Sequence, residues 1–215
     1  MPGTVFIKNG CPDAFTVQFI VSPLSYTTPG FNPLILEFLS EPAVQVYPLA
    51  PLLITVPENA YKVEVFAYQW GWKYRLPGDD GVLGKTDIQY INDDNPFGLI
   101  LEDPNGKDDR LVDGQELHLL IDRPVKFELR TIDVLHNFYV PQFRGKMDMV
   151  PGTITYYWIT PTRTGDFEVL CAEYCGSGHY AMRGRVIVDQ EKDYKEWEAK
   201  QITFEKMLAK NKKID

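Results

Sequence analysis

Apolar and polar residues alternate along several short segments of the chain, the first of them beginning at Tyr61. A period of two places one face of a segment in a core and the other in water, and these segments are rich in β-branched and aromatic residues, so they are expected to be β-strands. Each is bounded by glycine, proline or aspartate, which favours a mainly β sandwich or barrel. The predicted strands are 61–68, continued by 69–75, and then 116–121, 125–130, 137–140, 153–160, 166–170 and 184–189.

The regions outside these strands differ in composition, being rich in proline or in turn-forming residues. Residues 1–57 are rich in proline, which removes ladder donors and breaks helices, so they are predicted to form an extended arm with one short helix near 34–39. Residues 77–110 are dense in turn formers and are predicted to be a loop. We therefore predict three parts: an N-terminal arm (1–57) packed on partner proteins, a β domain (58–190) and a C-terminal helix (191–215).

Composition narrows the class of protein. The formal net charge of −8 over 215 residues argues against nucleic-acid binding and favours basic partners. Three cysteines are too few for a disulfide-stapled scaffold, and Cys11 is interpreted as a free or packed thiol. We find no apolar run near the roughly 18 residues that a membrane helix needs and no secretory signal. The chain is therefore expected to be soluble or held at a membrane by other subunits.

The segment from Cys171 to Met182 concentrates two cysteines, a histidine and a methionine in twelve residues. It lies between two predicted strands, which makes it a loop at one end of the sandwich. Thiolate, imidazole and thioether groups are soft ligands that favour copper. Because Cys175 stands four residues after the first cysteine, two thiolates on one tight loop can bridge two metal ions. The motif C-x3-C-x3-H-x2-M, with His179 as its histidine, therefore predicts a two-copper electron-transfer centre.

A second imidazole has to come from another part of the chain. His136 stands at the start of a predicted strand, 35 residues before Cys171, and Asp133 is expected to orient it. Two alternatives stay open: a disulfide between the two cysteines, and a structural zinc site in which the methionine is only a core residue. His118 alternates with apolar residues on a strand and is interpreted as a surface or internally satisfied histidine.

These motifs resemble those of cytochrome c oxidase subunit II. The loop 171–182 is similar to that family's binuclear copper (CuA) loop, and Asp133-Val-Leu-His136 is similar to its first-histidine motif. The aromatic segment 69–72 and the stretch 146–152 resemble the family as well. The resemblance covers about residues 56–189 and implies a cupredoxin-type Greek-key β-barrel.

The resemblance also implies roles for individual residues. The two cysteine sulfurs bridge the coppers, one histidine and the methionine complete one metal, and the second histidine and a backbone carbonyl complete the other. The implied ligands are Cys171, Cys175, His136, Met182, His179 and the carbonyl of Glu173.

Further roles follow from the same resemblance. The Glu173 side chain is implied to reach a magnesium at the interface with the catalytic subunit. Trp70 is implied to receive electrons from cytochrome c, with acidic residues meeting the basic rim of that carrier. The candidates for those acidic residues are Asp79, Asp80, Asp93, Asp94, Asp108 and Asp109.

The sequence departs from the family pattern at a few places. Gly71 stands where an aromatic residue is often found between the tryptophans, although the predicted metal ligands are intact. The hairpin of membrane helices that usually precedes the domain has no counterpart here. This points to a split subunit, a shortened form, or a subunit docked through contacts with others.

The function implied is that of the electron-input subunit of a haem–copper terminal oxidase. It would take electrons from cytochrome c and pass them through the copper pair to haem in catalytic subunit I, where oxygen is reduced. The implied location is the periplasmic or intermembrane-space face of the energy-transducing inner membrane, with membrane association through subunit I and other oxidase subunits. Two rivals stay open: a redox carrier or CuA module of nitrous oxide or nitric oxide reductase, and a zinc-stabilised binding sandwich.

Overall fold

Two β-sheets share one hydrophobic core in the structure, a computed structural model that describes residues 16–17, 56–112 and 116–211. The strands are β1 (Thr16–Val17), β2 (Tyr61–Tyr68), β3 (Gly71–Leu76), β4 (Arg110–Val112), β5 (Glu116–Leu120), β6 (Val125–Thr131), β7 (His136–Val140), β8 (Gly145–Met149), β9 (Thr155–Thr160), β10 (Gly165–Cys171), β11 (Arg183–Asp189) and β12 (Ile202–Thr203). The larger sheet has the order β1-β9-β6-β2-β3-β4-β12, and the smaller one β5-β11-β10-β7-β8. The predicted mainly β, cupredoxin-like fold is confirmed.

Burial follows the alternation that the sequence shows. Along β6, Val125, Phe127 and Leu129 are fully buried while the residues between them are partly exposed. Val186 and Val188 of β11 fill the same core from the opposite sheet. Alternate residues of each strand thus supply the contact between the two sheets, as expected for a sandwich.

The chain reverses direction where one continuous strand was predicted. After β2 it turns at Gln69 and Trp70 and returns as β3, antiparallel to β2. A Cβ atom on Gly71 would lie 2.6 Å from the Tyr68 hydroxyl oxygen, so the Tyr68 ring occupies the space that a larger residue would need. A larger residue at position 71 would require the Tyr68 ring to move.

A loop was predicted over 77–110, and residues 77–109 form one, with short 3-10 turns at Ile88–Tyr90 and Pro104–Gly106; residue 110 already belongs to β4. Its base is fixed by Arg75, whose guanidinium pairs with the buried carboxylates of Glu64 and Asp109. A second, smaller core lies beside the loop, formed by Phe66, Phe97, Leu99, Leu111 and Phe204. The loop is therefore anchored to the larger sheet by buried charges and aromatic packing.

The C-terminal region contains the predicted helix as two shorter ones, α1 (Glu191–Glu198) and α2 (Phe204–Asn211). Strand β12 lies between them and pairs with β4, which ties this region to the larger sheet. Among the residues that the structure describes, no helix is both long enough and apolar enough to cross a membrane. The predicted N-terminal arm, its helix near 34–39 and Cys11 lie outside the described residues, apart from β1, which pairs with β9.

Candidate metal centre

The two halves of the predicted site meet at one end of the smaller sheet. Strand β7 starts at His136, and β10 ends at Cys171 and pairs with β7 through Cys171 and Phe138. The loop that follows returns at Met182, just before β11. Its base is closed by a hydrogen bond from the Cys171 backbone N–H to the Met182 carbonyl (3.2 Å). Strand pairing therefore brings the distant histidine to the cysteine loop.

The donor atoms form a continuous chain of close contacts. His136 Nδ1 lies 3.8 Å from Cys171 Sγ, and the two cysteine sulfurs lie 3.7 Å apart. Cys175 Sγ lies 3.5 Å from His179 Nδ1 and 3.8 Å from Met182 Sδ. The Glu173 carbonyl oxygen lies 3.2 Å from Cys171 Sγ. All six predicted ligand groups are thus together, and His136, Cys171 and Cys175 alone form a compact group suited to a metal ion.

The sulfur geometry fits metal binding better than a covalent bridge. Cys171 and Cys175 are both free thiols, and their separation of 3.7 Å is far longer than a disulfide bond of about 2.05 Å. Two sulfurs at this separation can both bind the same metal ion, because a thiolate–metal bond is roughly 2.3 Å long. Both thiols and the Met182 thioether are buried, so the soft donors are shielded from water.

Asp133 leaves only one nitrogen of His136 available as a ligand. Its carboxylate lies 2.8 Å from His136 Nε2, so Nδ1 is the nitrogen that faces the sulfurs. The same carboxylate also accepts hydrogen bonds from the Val134 backbone N–H and the Thr131 hydroxyl. Although burial opposes the charged forms, the contact with His136 lowers the pKa of Asp133, and the contacts with Cys171 and Asp133 raise the pKa of His136. The carboxylate–imidazole pair orients the ligand.

The two thiols do not ionise alike. Burial opposes ionisation of Cys171, but contacts with His136 and with the Glu173 backbone outweigh it and lower the pKa of this thiol. Burial, followed by the nearby Cys171 sulfur, raises the pKa of Cys175. Ionisation of the pair is thus favoured at Cys171, and repulsion between two thiolates opposes a second ionisation.

Residues of the turn between β2 and β3 contact the cysteine loop from the opposite sheet. The Trp70 indole N–H donates to the Cys175 carbonyl (3.0 Å), and the Gln69 side-chain amide donates to the same oxygen (2.8 Å). A Cβ atom on Gly178 would lie 2.4 Å from the Trp70 ring, so this loop position needs a glycine. Trp70 is 41% exposed and joins the surface to the backbone of the loop.

The remaining predicted residues behave differently. Asp109 is fully buried against Arg75 and cannot meet a partner, whereas Asp79, Asp80, Asp93 and Asp94 are exposed. The magnesium role of the Glu173 side chain stays a prediction. Gln69 was not predicted as a site residue, because its contact joins residues 106 positions apart and no local pattern signals it.

Known proteins similar in sequence to this chain are subunits of cytochrome c oxidase. A family model described as cytochrome C oxidase subunit II, periplasmic domain, matches residues 61–190. The alternative cytochrome c oxidase subunit 2 of Bradyrhizobium diazoefficiens is 54% identical over 158 residues, which cover 74% of this chain and 57% of that protein. Cytochrome c oxidase subunit 2 of Thermostichus vulcanus is 43% identical over 90 residues, which cover 42% of this chain and 27% of that protein. The chain thus matches little more than half of one relative's length and about a quarter of the other's.

A solved structure gives a weaker likeness. The crystal structure of the periplasmic domain of subunit II of cytochrome oxidase of Bradyrhizobium japonicum is 25% identical, and the match covers 66% of this chain and 94% of that one, with a TM-score of 0.48.

Proposed function

The chain belongs to the cytochrome c oxidase subunit II family, and from that premise we propose that it is the electron-input subunit of a haem–copper terminal oxidase. It accepts electrons from cytochrome c and passes them through a copper pair toward haem in catalytic subunit I, where oxygen is reduced. Its place is the outer face of an energy-transducing inner membrane, where other oxidase subunits hold it.

The observation that carries this proposal is the run of soft donors around two free thiols 3.7 Å apart. Two imidazoles, two thiols, a thioether and a carbonyl exceed the four ligands of a structural zinc site. The thioether of Met182, buried 3.8 Å from Cys175 Sγ, favours copper over zinc. The residues present therefore fit a copper pair, which when bound supplies one-electron redox chemistry.

The residues of the chain hold the ligands and exclude water. Asp133 keeps the imidazole of His136 directed at the sulfurs, and the burial of both thiols shields them from solvent. A site whose ligands are fixed by strand pairing changes little between oxidation states, which suits rapid electron transfer. The Glu173 side chain is proposed to hold magnesium at the interface with subunit I.

Trp70 is proposed as the residue at which electrons arrive. Its ring is partly exposed, and its indole N–H contacts the carbonyl of Cys175, a proposed bridging ligand. This contact gives a short path from the surface to the metal ligands. The exposed aspartates of the 77–110 loop add negative charge that attracts a basic electron donor.

Rapid mixing of reduced cytochrome c with the oxidised, copper-loaded chain tests this function. We expect the copper absorption to bleach as cytochrome c is oxidised, and Trp70→Phe to slow the transfer without changing the copper content. The matched control is Trp158→Phe, which changes a tryptophan on β9 in the larger sheet. This variant should transfer electrons at the wild-type rate. Absence of transfer in the wild type, or an unchanged rate in Trp70→Phe, would contradict the proposal.

A further inference from the structure

Gln69 contacts both halves of the metal centre, although it lies on neither. It stands in the turn between β2 and β3, in the larger sheet, while the ligands lie at the end of the smaller sheet. Its backbone N–H donates to Asp133 Oδ2 (2.6 Å), and its side-chain amide donates to the Cys175 carbonyl (2.8 Å). Gln69 thus links two groups: the Asp133 carboxylate, which orients His136, and the Cys175–Gly176 peptide.

The cysteine loop is shaped to receive this turn. A Cβ atom on Gly176 would lie 3.0 Å from Gln69 Nε2, and one on Gly178 would overlap the Trp70 ring. Gly176 also has a φ of +113°, a conformation that side-chain-bearing residues rarely adopt. Gly176 and Gly178 therefore leave room for the side chains of Gln69 and Trp70. This fit supports the close approach of the turn independently of the hydrogen bonds.

The Cys175 carbonyl receives two donors at once, since Gln69 and Trp70 both point at it. A carbonyl oxygen has two lone pairs, so this pair of bonds satisfies it and fixes the plane of the Cys175–Gly176 peptide. The position of that peptide sets where Cys175 Sγ stands relative to Cys171 Sγ and His179 Nδ1. The two bonds therefore act on the ligand geometry through the backbone.

We propose that Gln69 is a positioning residue that fixes the spacing between the histidine half and the cysteine half of the copper pair. This rests on the proposed function. Because Gln69 is exposed, water can replace its hydrogen bonds in part, so its loss changes the site more than the stability of the fold. The separation of the ligand atoms, His136 Nδ1, Cys171 Sγ and Cys175 Sγ, is the property it controls.

Gln69→Met tests the proposal, since it keeps the length of the side chain and removes its donor. We expect copper-loaded Gln69→Met to retain the copper content of the wild type, with a changed EPR hyperfine pattern and a shifted midpoint potential. The matched control is Gln201→Met, which removes the same kind of bond, from Gln201 Nε2 to the Trp197 carbonyl (2.9 Å), at α1. It should leave both readouts at the wild-type values, and an unchanged spectrum and potential in Gln69→Met would overturn the proposal.

Metal-free protein gives a readout that separates this proposal from the proposed function. In NMR spectra of Gln69→Met, the Gly176 amide signal should shift, because its peptide carries the accepting carbonyl. The His136 ring signals should shift with it, because the released turn also carries the backbone N–H that donates to Asp133. Gln69→Leu, which also lacks the side-chain donor and carries no charge, should move both in the same direction. If the His136 signals stay in place, the coupling between the two halves is refuted, even if the wild type binds copper. If the wild type fails to bind copper but both signals move, the function fails and the positioning role stands.

Discussion

Two histidines on the smaller sheet show what separates a structural imidazole from a candidate ligand. His118 on β5 lies with Nδ1 2.5 Å from Asp189 Oδ2 and Nε2 3.1 Å from Glu116 Oε1, and its ring stacks on Trp197 at 4.5 Å. His136 on β7 also lies beside a carboxylate, but through Nε2 alone. Its second nitrogen faces sulfur. Both histidines are oriented by acidic partners, and they differ in whether a nitrogen is left for a metal.

The surroundings of the two histidine rings also differ: protein groups cover His118, whereas metal-binding donors face His136. Around His118 the sheet is covered by α1, and Arg123 lies over the rings of both Tyr61 and Tyr194 there, at 3.8 Å and 4.6 Å. At His136 the second ring nitrogen faces the thiol of Cys171, and both cysteine sulfurs lie in one compact donor group with it. One region is thus completed by its own helix, while the other presents a set of donors that only a metal completes.

The largest expected effect is the loss of the copper pair in Cys175→Ser. A serine hydroxyl is a poor replacement for a bridging thiolate, so copper content should fall from about two per chain to one or none. Cys11→Ser is the control and should keep the full content. Metal analysis and the visible absorption of the loaded proteins measure both. Retention of two coppers in Cys175→Ser would show that this thiol does not bridge.

Exchanging the two histidines for alanine tests the comparison directly. His136→Ala should lower copper affinity by more than about 100-fold, because even the loss of a residue that orients a ligand costs about 10–100-fold. His118→Ala should leave copper affinity unchanged and lower the free energy of unfolding by about 1–3 kcal/mol, because it removes the stack on Trp197 and the imidazole partner of Asp189. Copper titration and urea unfolding separate the effects. A fall in copper affinity in His118→Ala would break the distinction.

The sequence predicted most of the strands and the candidate metal ligands, but it did not predict the turn between β2 and β3 or the stacking of His118. Alternation located β2 and most of β5, β6, β9, β10 and β11, and the ligand spacing located the donors, because both are local signals. The reversal at Gln69 and Trp70 was missed, since aromatic residues continue on both sides of it. Strand β8 (Gly145–Met149) was also missed, because its charged and apolar residues have no β-branched members. The stack of His118 on Trp197 depends on how a helix docks, which no short pattern records.

The carboxylates behind the two rings offer a milder test. Asp133→Asn should weaken copper binding by about 10–100-fold, because it loosens the orientation of His136. Asp189→Asn should leave copper binding intact and reduce the free energy of unfolding by about 1 kcal/mol, because the amide oxygen can still accept from His118 and only the charge of the acceptor is lost. Isothermal titration with copper and chemical unfolding provide the two measurements. Equal copper affinities in the two variants would mean that Asp133 does not orient the ligand.

The smallest expected effect is that of Trp197→Phe. The phenyl ring keeps part of the stack on His118, so the free energy of unfolding should fall by only about 0.5–1.5 kcal/mol. The copper spectrum should be that of the wild type. Helix α1 packs on β5 and β11, whereas the cysteine loop starts where β10 ends beside β7. A spectral change would show that the two regions are coupled.

Two thiolates at the end of the smaller sheet are proposed to hold a copper pair. Copper quantification combined with EPR spectroscopy of the loaded wild-type protein tests it most directly. We expect about two coppers per chain and, in the oxidised protein, one unpaired electron whose hyperfine pattern reports both nuclei. One copper per chain with the pattern of a single nucleus, or zinc in place of copper, would contradict it.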